Sequence, residues 1–360
     1  MPDHPAGPLM IIGGAEDKLR RRTILKEFVT RSGGAQARIV VIPVASSLGT
    51  EIVELYDAVF TKLGAGRVVA ACPSSRDEAH DPDLVALLED ATGIFMTGGN
   101  QLKLSGIVSG TPFGDAIVAA HRRGAVVAGT SAGASIQSSH MVAFGVGGAT
   151  PKQRMTQVAA GLGLVGSAVI DQHFEQRNRY GRLLMIVSQS PQLLGIGVDE
   201  DTCAVVDTVD GRQRLRVLGR GAVTILDPAR MTTNAHEAAR SSPLLSSGVM
   251  LHVLPEGAVF DLGDRRLVPQ DPVLDAEEVR GLAEAEHDLR TMARDIAASD
   301  ASPSTLRRRM ARKRPVAGLA PGGLDSTTRS TTQDSTHSST HTSSHDTSHD
   351  TSHDTEGDAR

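Results

Sequence analysis

Through the first 200 residues, short apolar runs rich in Val and Ile alternate with longer stretches whose apolar positions recur at helical spacing. Continuous apolar runs mark strands buried on both faces, and their alternation with helices is the pattern of a parallel sheet covered on both sides. It predicts strands at Pro8–Ile12, Arg38–Val44, Arg67–Ala71, Gly93–Met96, Ala125–Ala128, Ala168–Ile170 and Leu193–Val198. Helices are expected at Lys18–Ser32, Glu51–Leu63, Pro82–Ala91, Gly114–Arg123 and Arg179–Ser190. Most of the first five strands run into Gly or another small or polar residue, which suits strand-to-helix loops at the carboxyl edge of a sheet. From about Thr202 to Val268, shorter segments joined by Gly and Asp turns (Ala204–Val206, Arg214–Leu218, Ala222–Ile225, Val249–Val253) predict a β-rich completion of the same domain.

Asp275–Ala298 is charged and helical in pattern. Beyond Ser299 the chain turns rich in Ser, Thr, Pro, Arg and Asp, and Ser-His-Asp-Thr repeats three times from Ser344 to Thr355. That composition buries too little apolar surface to offset chain entropy, so 299–360 is expected to be disordered. His337, His341, His345, His349 and His353 have a spacing that could collect Ni²⁺ or Zn²⁺, but a plain Ser/Thr-rich tail is the favoured expectation.

Composition narrows the function classes. An apolar content of 39% sustains a core, which excludes a wholly disordered or fibrous chain. The net charge of −5 belongs to residues 319–360, where seven acidic groups face only Arg329 and Arg360. With a neutral body and nine aromatic residues (seven Phe, two Tyr), neither a phosphate-binding field nor a base-stacking platform is expected, so nucleic acid is set aside as a partner. Arg307–Arg314 is the one basic cluster. Cys72 and Cys203 lack any disulfide or zinc-ligand spacing. No run approaches the 18 or so apolar residues of a membrane span, and no basic leader precedes an apolar stretch; a cytoplasmic protein is expected, with no membrane partner, metal or cofactor.

Gly129-Thr-Ser131-Ala-Gly133 fits G-x-S-x-G between an apolar strand and a small-residue run, the setting of a nucleophile elbow. The helix start that follows would favour a developing negative charge. A serine nucleophile needs a base and the base an orienting carboxylate. His173 lies just past a strand, in Asp171-Gln-His-Phe-Glu-Gln-Arg-Asn-Arg-Tyr-Gly-Arg182, and a third strand ends in Asp199-Glu200. The order Ser131, His173, Glu200 is not that of the α/β-hydrolases, where the acid precedes the histidine. Thr97-Gly98-Gly99-Asn100-Gln101 offers backbone N–H groups that, with that of Ala132, would form an oxyanion hole. Gly13-Gly14-Ala15-Glu16-Asp17 follows the first strand in the same way, and a plain turn is its expected role. Arg177, Arg179 and Arg182 have no acid between them, so an external anion is expected, and guanidinium forks match carboxylates.

Together IIGGAEDK, TGGNQLKL, GTSAGAS, DQHFEQRNRYGRLL and GIGVDEDT resemble the cyanophycinases, serine peptidases of the same broad family as the aspartyl dipeptidases. The resemblance covers roughly Leu9 to Phe260 with all motifs in order. It implies a flavodoxin-like or class I glutamine amidotransferase-like α/β fold, a mostly parallel sheet with helices on both faces and a nucleophile elbow. It further implies a Ser131, His173, Glu200 triad, homodimers, and hydrolysis of cyanophycin, a polyaspartate bearing arginine on its side-chain carboxyls, to β-Asp-Arg dipeptides. Carried over by motif, Gln101, Asp171, Gln172, Arg177, Arg179 and Arg182 would bind substrate, with Asp171 or another acid receiving its guanidinium. The expected organisation is a catalytic domain at 1–298, with its core near 9–268, followed by the tail. An aspartyl or isoaspartyl dipeptidase of the same fold is the nearest alternative; a non-catalytic binder of polyanionic peptides is the other.

Overall fold

The computed structural model describes residues 6–269, 284 and 286–291. It divides the chain into Met1–Val273 and Leu274–Arg360. In the second unit the described residues are helical. The rest of the expected Asp275–Ala298 helix, and everything from 299 on, including the basic cluster and the spaced histidines, lies outside the described residues.

In the first unit, strands β1 (Leu9–Ile12), β2 (Arg38–Ile42), β3 (Arg67–Ala70), β4 (Gly93–Met96) and β5 (Val126–Thr130) pair in parallel in the order β1, β5, β4, β2, β3. Next come the antiparallel hairpin of β6 (His140–Gly145) and β7 (Thr156–Ala160), then β8 (Ala168–Gln172), β9 (Leu194–Val198), β10 (Thr202–Val209), β11 (Arg212–Gly219) and β12 (Val223–Asp227). The two-residue β13 (Thr232–Thr233) and β14 (Ser246–Ser247) pair with each other ahead of β15 (Met250–Leu254), β16 (Val259–Asp261) and β17 (Arg266–Leu267). The helices are α1 (Thr23–Arg31), α2 (Thr50–Lys62), α3 (Pro82–Ala86), α4 (Gln101–Val108), α5 (Pro112–Arg122), α6 (Ala132–Ser135) and α7 (Tyr180–Gln189).

The α/β class agrees with the apolar pattern, and one assignment is corrected. β8 and β9 do not continue the parallel sheet; they form a second, four-stranded sheet in the order β15, β12, β9, β8. The open edge of β1 is taken by β10, with Leu9 opposite Val206 in antiparallel register, and β11, β16 and β17 extend that side to nine strands. Periodicity locates strands, whereas the choice of neighbour depends on competition for one edge.

The core explains the layering. Met10 and Ile12 pack beneath α1 and α2 with Phe28, Tyr56, Phe60 and Phe95, whose ring centroids lie 4.6–5.6 Å apart. Four of the nine aromatics thus meet in one cluster, and Phe95→Ala there would cost about 3–5 kcal/mol. Leu9 and Ile11 point the other way, into a core shared with Ile170, Ile196 and Val198 of the second sheet. Between the sheets α6 contacts both β5 and β8, and its Ala132, Gly133 and Ala134 are buried. Small side chains there let the two carboxyl edges converge. The far face of the second sheet is closed by α7 through Leu183, Ile186 and Val187.

Candidate active site

Ser131 sits between β5 and α6 with φ 54° and ψ −108°, a conformation that costs a non-glycine residue about 1–3 kcal/mol and persists only where its surroundings enforce it. A Cβ at Gly129 would lie 1.9 Å from the Gly133 carbonyl oxygen, and one at Gly133 would lie 2.2 Å from that of Met96. Both glycines are required for the turn to close. The Ser131 N–H donates to the Ile12 carbonyl at 3.0 Å, tying the elbow to β1. α6 has only four residues, so a full helix dipole is absent and individual N–H groups carry the local positive potential.

His173 follows β8, also with positive φ (46°), and its N–H donates to the Gly13 carbonyl at 2.8 Å. Its Nε2 stands 2.9 Å from Ser131 Oγ and its Nδ1 2.6 Å from Glu200 Oε1. In the tautomer that satisfies both contacts, Nδ1–H donates to the carboxylate and Nε2 accepts from the hydroxyl. Burial pushes the imidazole below its ordinary value of 6.5; Glu200 opposes this, while Arg177 and Arg179 add to it. A neutral ring at neutral pH is what a general base requires.

Glu200 and Asp199 have different work. Glu200 is about one-third exposed and its N–H donates to Gln176 Oε1 at 3.0 Å. Asp199 is buried, and its two oxygens accept the N–H groups of Glu175 and Ala222, each at 3.0 Å. Asp199 thereby fastens the His173 loop to β9 and β12, leaving Glu200 to face the imidazole.

The glycine loop after β4 lies against the elbow. A Cβ at Gly98 would be 3.1 Å from that of Ser131, and one at Gly99, whose φ is 141°, would be 2.0 Å from the Ala45 carbonyl oxygen. Among the described residues no hydrogen bond engages the N–H groups of Gly98, Gly99 or Ala132. Gln101 begins α4, and its Nε2 donates to the Val142 carbonyl at 2.5 Å, linking that helix to β6.

The arginine motif differs from expectation. Asp171 is completely buried, and the counter-anion of two of the three arginines is this residue: Oδ2 accepts from Arg182 Nε at 2.6 Å, and Oδ1 accepts from Arg179 Nη1 at 3.1 Å and from Arg182 Nη2. Arg179 also donates to the carbonyl and side-chain oxygens of Gln172, and Arg182 to the Gly145 carbonyl. Desolvation lowers Arg179 to about 10, against the pull of Asp171. Asp171, Gln172, Arg179 and Arg182 therefore satisfy one another inside the protein, and Asp171 is not placed to receive a substrate guanidinium. Arg177 alone of the three arginines is exposed, and no ion pair among the described residues involves it.

The loop expected to be a plain turn is a junction. Gly13 donates its N–H to the Thr202 carbonyl, and the Gly14 carbonyl accepts the Asp201 N–H, both at 2.9 Å. Asp17 N–H donates to Asp201 Oδ1 at 2.9 Å. A Cβ at Gly14 would lie 2.3 Å from His173 Cε1 and 2.6 Å from Nε2, so the imidazole rests directly on this glycine. Two glycines after a strand carry no sign in sequence of what lies above them.

Among the described residues no group of three or more His, Cys, Asp or Glu could hold a metal ion, and no helix is long and apolar enough to cross a membrane.

The model of peptidase family S51 matches residues 9–213, more than half of the chain, and spans the elbow, the histidine loop and the acid. The chain belongs to peptidase family S51. This S51 peptidase is 42% identical over 263 residues to proteins named cyanophycinase from Nostoc sp. and Trichormus variabilis, covering 72% of this chain and 87% of each relative. It is 40% identical to the cyanophycinase of Geminocystis herdmanii, over 69% of this chain and 91% of that one. Among solved structures, a peptidase from an acI-B1 Actinobacterium aligns with a TM-score of 0.48 at 22% identity, over 69% of this chain and 98% of the other.

Proposed function

We propose that this S51 peptidase is a serine exopeptidase that hydrolyses cyanophycin to β-Asp-Arg dipeptides, with Ser131 as nucleophile, His173 as general base and acid, and Glu200 as the group that orients the imidazole. The observation that carries it is the continuous chain of contacts from Ser131 Oγ to His173 Nε2, 2.9 Å, and from Nδ1 to Glu200 Oε1, 2.6 Å, at the apposed edges of two sheets. Likeness to cyanophycinases over 72% of the chain supports the substrate.

Ser131 Oγ attacks the scissile carbonyl carbon while Nε2 takes the hydroxyl proton, and Glu200 stabilises the imidazolium. The carbonyl oxygen becomes an oxyanion that accepts from Ala132 and from Gly98 or Gly99, each such donor contributing about 10²–10³-fold in kcat. The intermediate collapses, the C–N bond breaks, and His173 returns the proton to the leaving amine. Water, deprotonated by the same nitrogen, then attacks the acyl carbon; the bond to Ser131 Oγ breaks, His173 returns the proton to Oγ, and the acid is released. Exposed Arg177 is proposed to hold a substrate carboxylate, and Gln101 to contact substrate as the family resemblance implies. A homodimer is proposed on the family resemblance, and a cytoplasmic location on the two free cysteines.

The assay is release of β-Asp-Arg from insoluble cyanophycin. Ser131→Ala is expected to abolish it, and undiminished release by that variant refutes the assigned nucleophile. Cleavage of short Asp-X dipeptides with none of the polymer would favour the dipeptidase alternative.

A further inference from the structure

Beneath the elbow lies a buried carboxylate that the mechanism above does not use. Glu16 is 3% exposed, far from the usual setting of an acid. Its Oε2 accepts the Thr130 hydroxyl at 2.5 Å, and its Oε1 accepts the Tyr56 hydroxyl at 2.5 Å and pairs with Lys18 Nζ at 2.8 Å. Thr130 is itself buried and is the residue immediately before Ser131. We propose that Glu16 is a positioning residue for the nucleophile, holding the elbow in its strained conformation through the Thr130 hydroxyl; this rests on the assignment of Ser131 above.

The physical need is specific. Ser131 adopts φ 54° and ψ −108°, and its own side chain, engaged with His173, makes no cap to α6. On the strand side the elbow is held by the Ser131 N–H to Ile12 and by the contact between Glu16 and Thr130. A hydroxyl-to-carboxylate bond is charge-assisted and, in a dry site, stronger than a neutral one. Glu16 is in turn fixed from the opposite side: Tyr56 belongs to the aromatic cluster under α2, with its ring centroid 4.6 Å from that of Phe95, and Lys18 Nζ sits 5.4 Å from the centroid of the same ring. The rigid core is thus connected to the reacting serine through two hydrogen bonds, Tyr56 to Glu16 and Thr130 to Glu16. Release of the Thr130 end frees the turn to relax toward an unstrained φ, moving Oγ away from Nε2. Misplacement of a reacting group by about 1 Å costs on the order of 10²-fold.

The test compares Thr130→Val, which keeps shape but removes the hydroxyl, with Thr130→Ser, which keeps the hydroxyl, each measured on cyanophycin at a temperature where circular dichroism shows the variant folded. Thr130→Val is expected to lose about 10–100-fold in kcat with KM within about twofold, and Thr130→Ser to retain most of kcat. Glu16→Leu, which leaves no acceptor for the Thr130 hydroxyl, should reproduce the loss, and the Glu16→Leu, Thr130→Val double variant should lose no more than the more severe single one, because both cut the same link. Equal activity of Thr130→Val and the parent, equal losses in the Val and Ser variants, or losses that multiply in the double variant would each overturn the inference. Ser131→Ala, run alongside, separates the two levels: if it stays active the nucleophile assignment fails, and if it is dead while Thr130→Val is fully active, only the role of Glu16 fails.

Discussion

Gly14 is the position where a single methyl group should separate folding from catalysis. In Gly14→Ala the new Cβ would lie 2.3 Å from His173 Cε1 and 2.6 Å from Nε2, whereas carbon atoms in contact settle at about 3.5–4.0 Å. The ring must therefore retreat by roughly 1.2 Å or more, and its two working contacts, 2.9 Å to Ser131 and 2.6 Å to Glu200, cannot both survive. With about 10²-fold lost per ångström of misplacement, kcat for β-Asp-Arg release should fall by about 10²–10⁴-fold. A second cost is separable: φ at Gly14 is +106°, and a left-handed alanine is strained by about 1–2 kcal/mol, which lowers stability. Gly64→Ala is the control, since φ there is +91° and nothing lies within 4 Å of the added carbon. It should lower the melting temperature comparably while kcat stays within twofold of the parent. A folded Gly14→Ala enzyme that keeps more than about a third of the parental kcat would refute the placement of the imidazole on this glycine.

Other outcomes follow from the same geometry. Because burial holds His173 below 6.5, and only the neutral ring can accept a proton, the acid limb of the kcat/KM profile should have its midpoint below pH 6.5. Glu200→Gln removes a raising influence and should move that midpoint further down, whereas Arg177→Ala removes a lowering one and should move it up; opposite shifts would contradict the assigned electrostatics. The folded imidazole binds its proton less readily than the unfolded one, so this group's contribution to stability is complete above about pH 6.5 and is lost as pH falls through the folded value, which pH-dependent melting will register. Asp171→Asn leaves two buried guanidiniums without their anion and should destabilise the fold by about 3–5 kcal/mol in urea unfolding; unchanged stability with a raised KM would return Asp171 to the substrate pocket.

What the sequence reveals, and what it hides, divides along the range of the interactions. β1, β2, β4 and β5 are legible because both of their faces are buried, which leaves an unbroken apolar run. The sheet to which β8 and β9 belong is not, because that depends on β10 capturing the edge of β1 nearly two hundred residues away. Ser131, His173 and Glu200 stand out since each follows a strand and carries a side chain with obvious chemistry. Gly14 and Glu16 do not: a glycine that supports a ring reads like any turn glycine, and a carboxylate that binds a buried hydroxyl reads like a solvated one.

The arginines show the same limit from the side of charge. Counting Arg177, Arg179 and Arg182 in a short segment correctly demands an anion, but it cannot tell an anion that arrives with the substrate from one already in the chain. Burial decides between them. Arg179 and Arg182 are 6% and 3% exposed and share Asp171, which is 0% exposed. Two buried cations with one buried anion and several carbonyl acceptors make a satisfied cluster that holds the histidine loop against β6 and α7. A polymer of aspartate residues, the proposed substrate, would thus meet a single exposed guanidinium from the motif, Arg177. That same charge helps to keep His173 neutral, so recognition of a substrate carboxylate there would partly cancel its field and raise the basicity of the imidazole as the substrate binds.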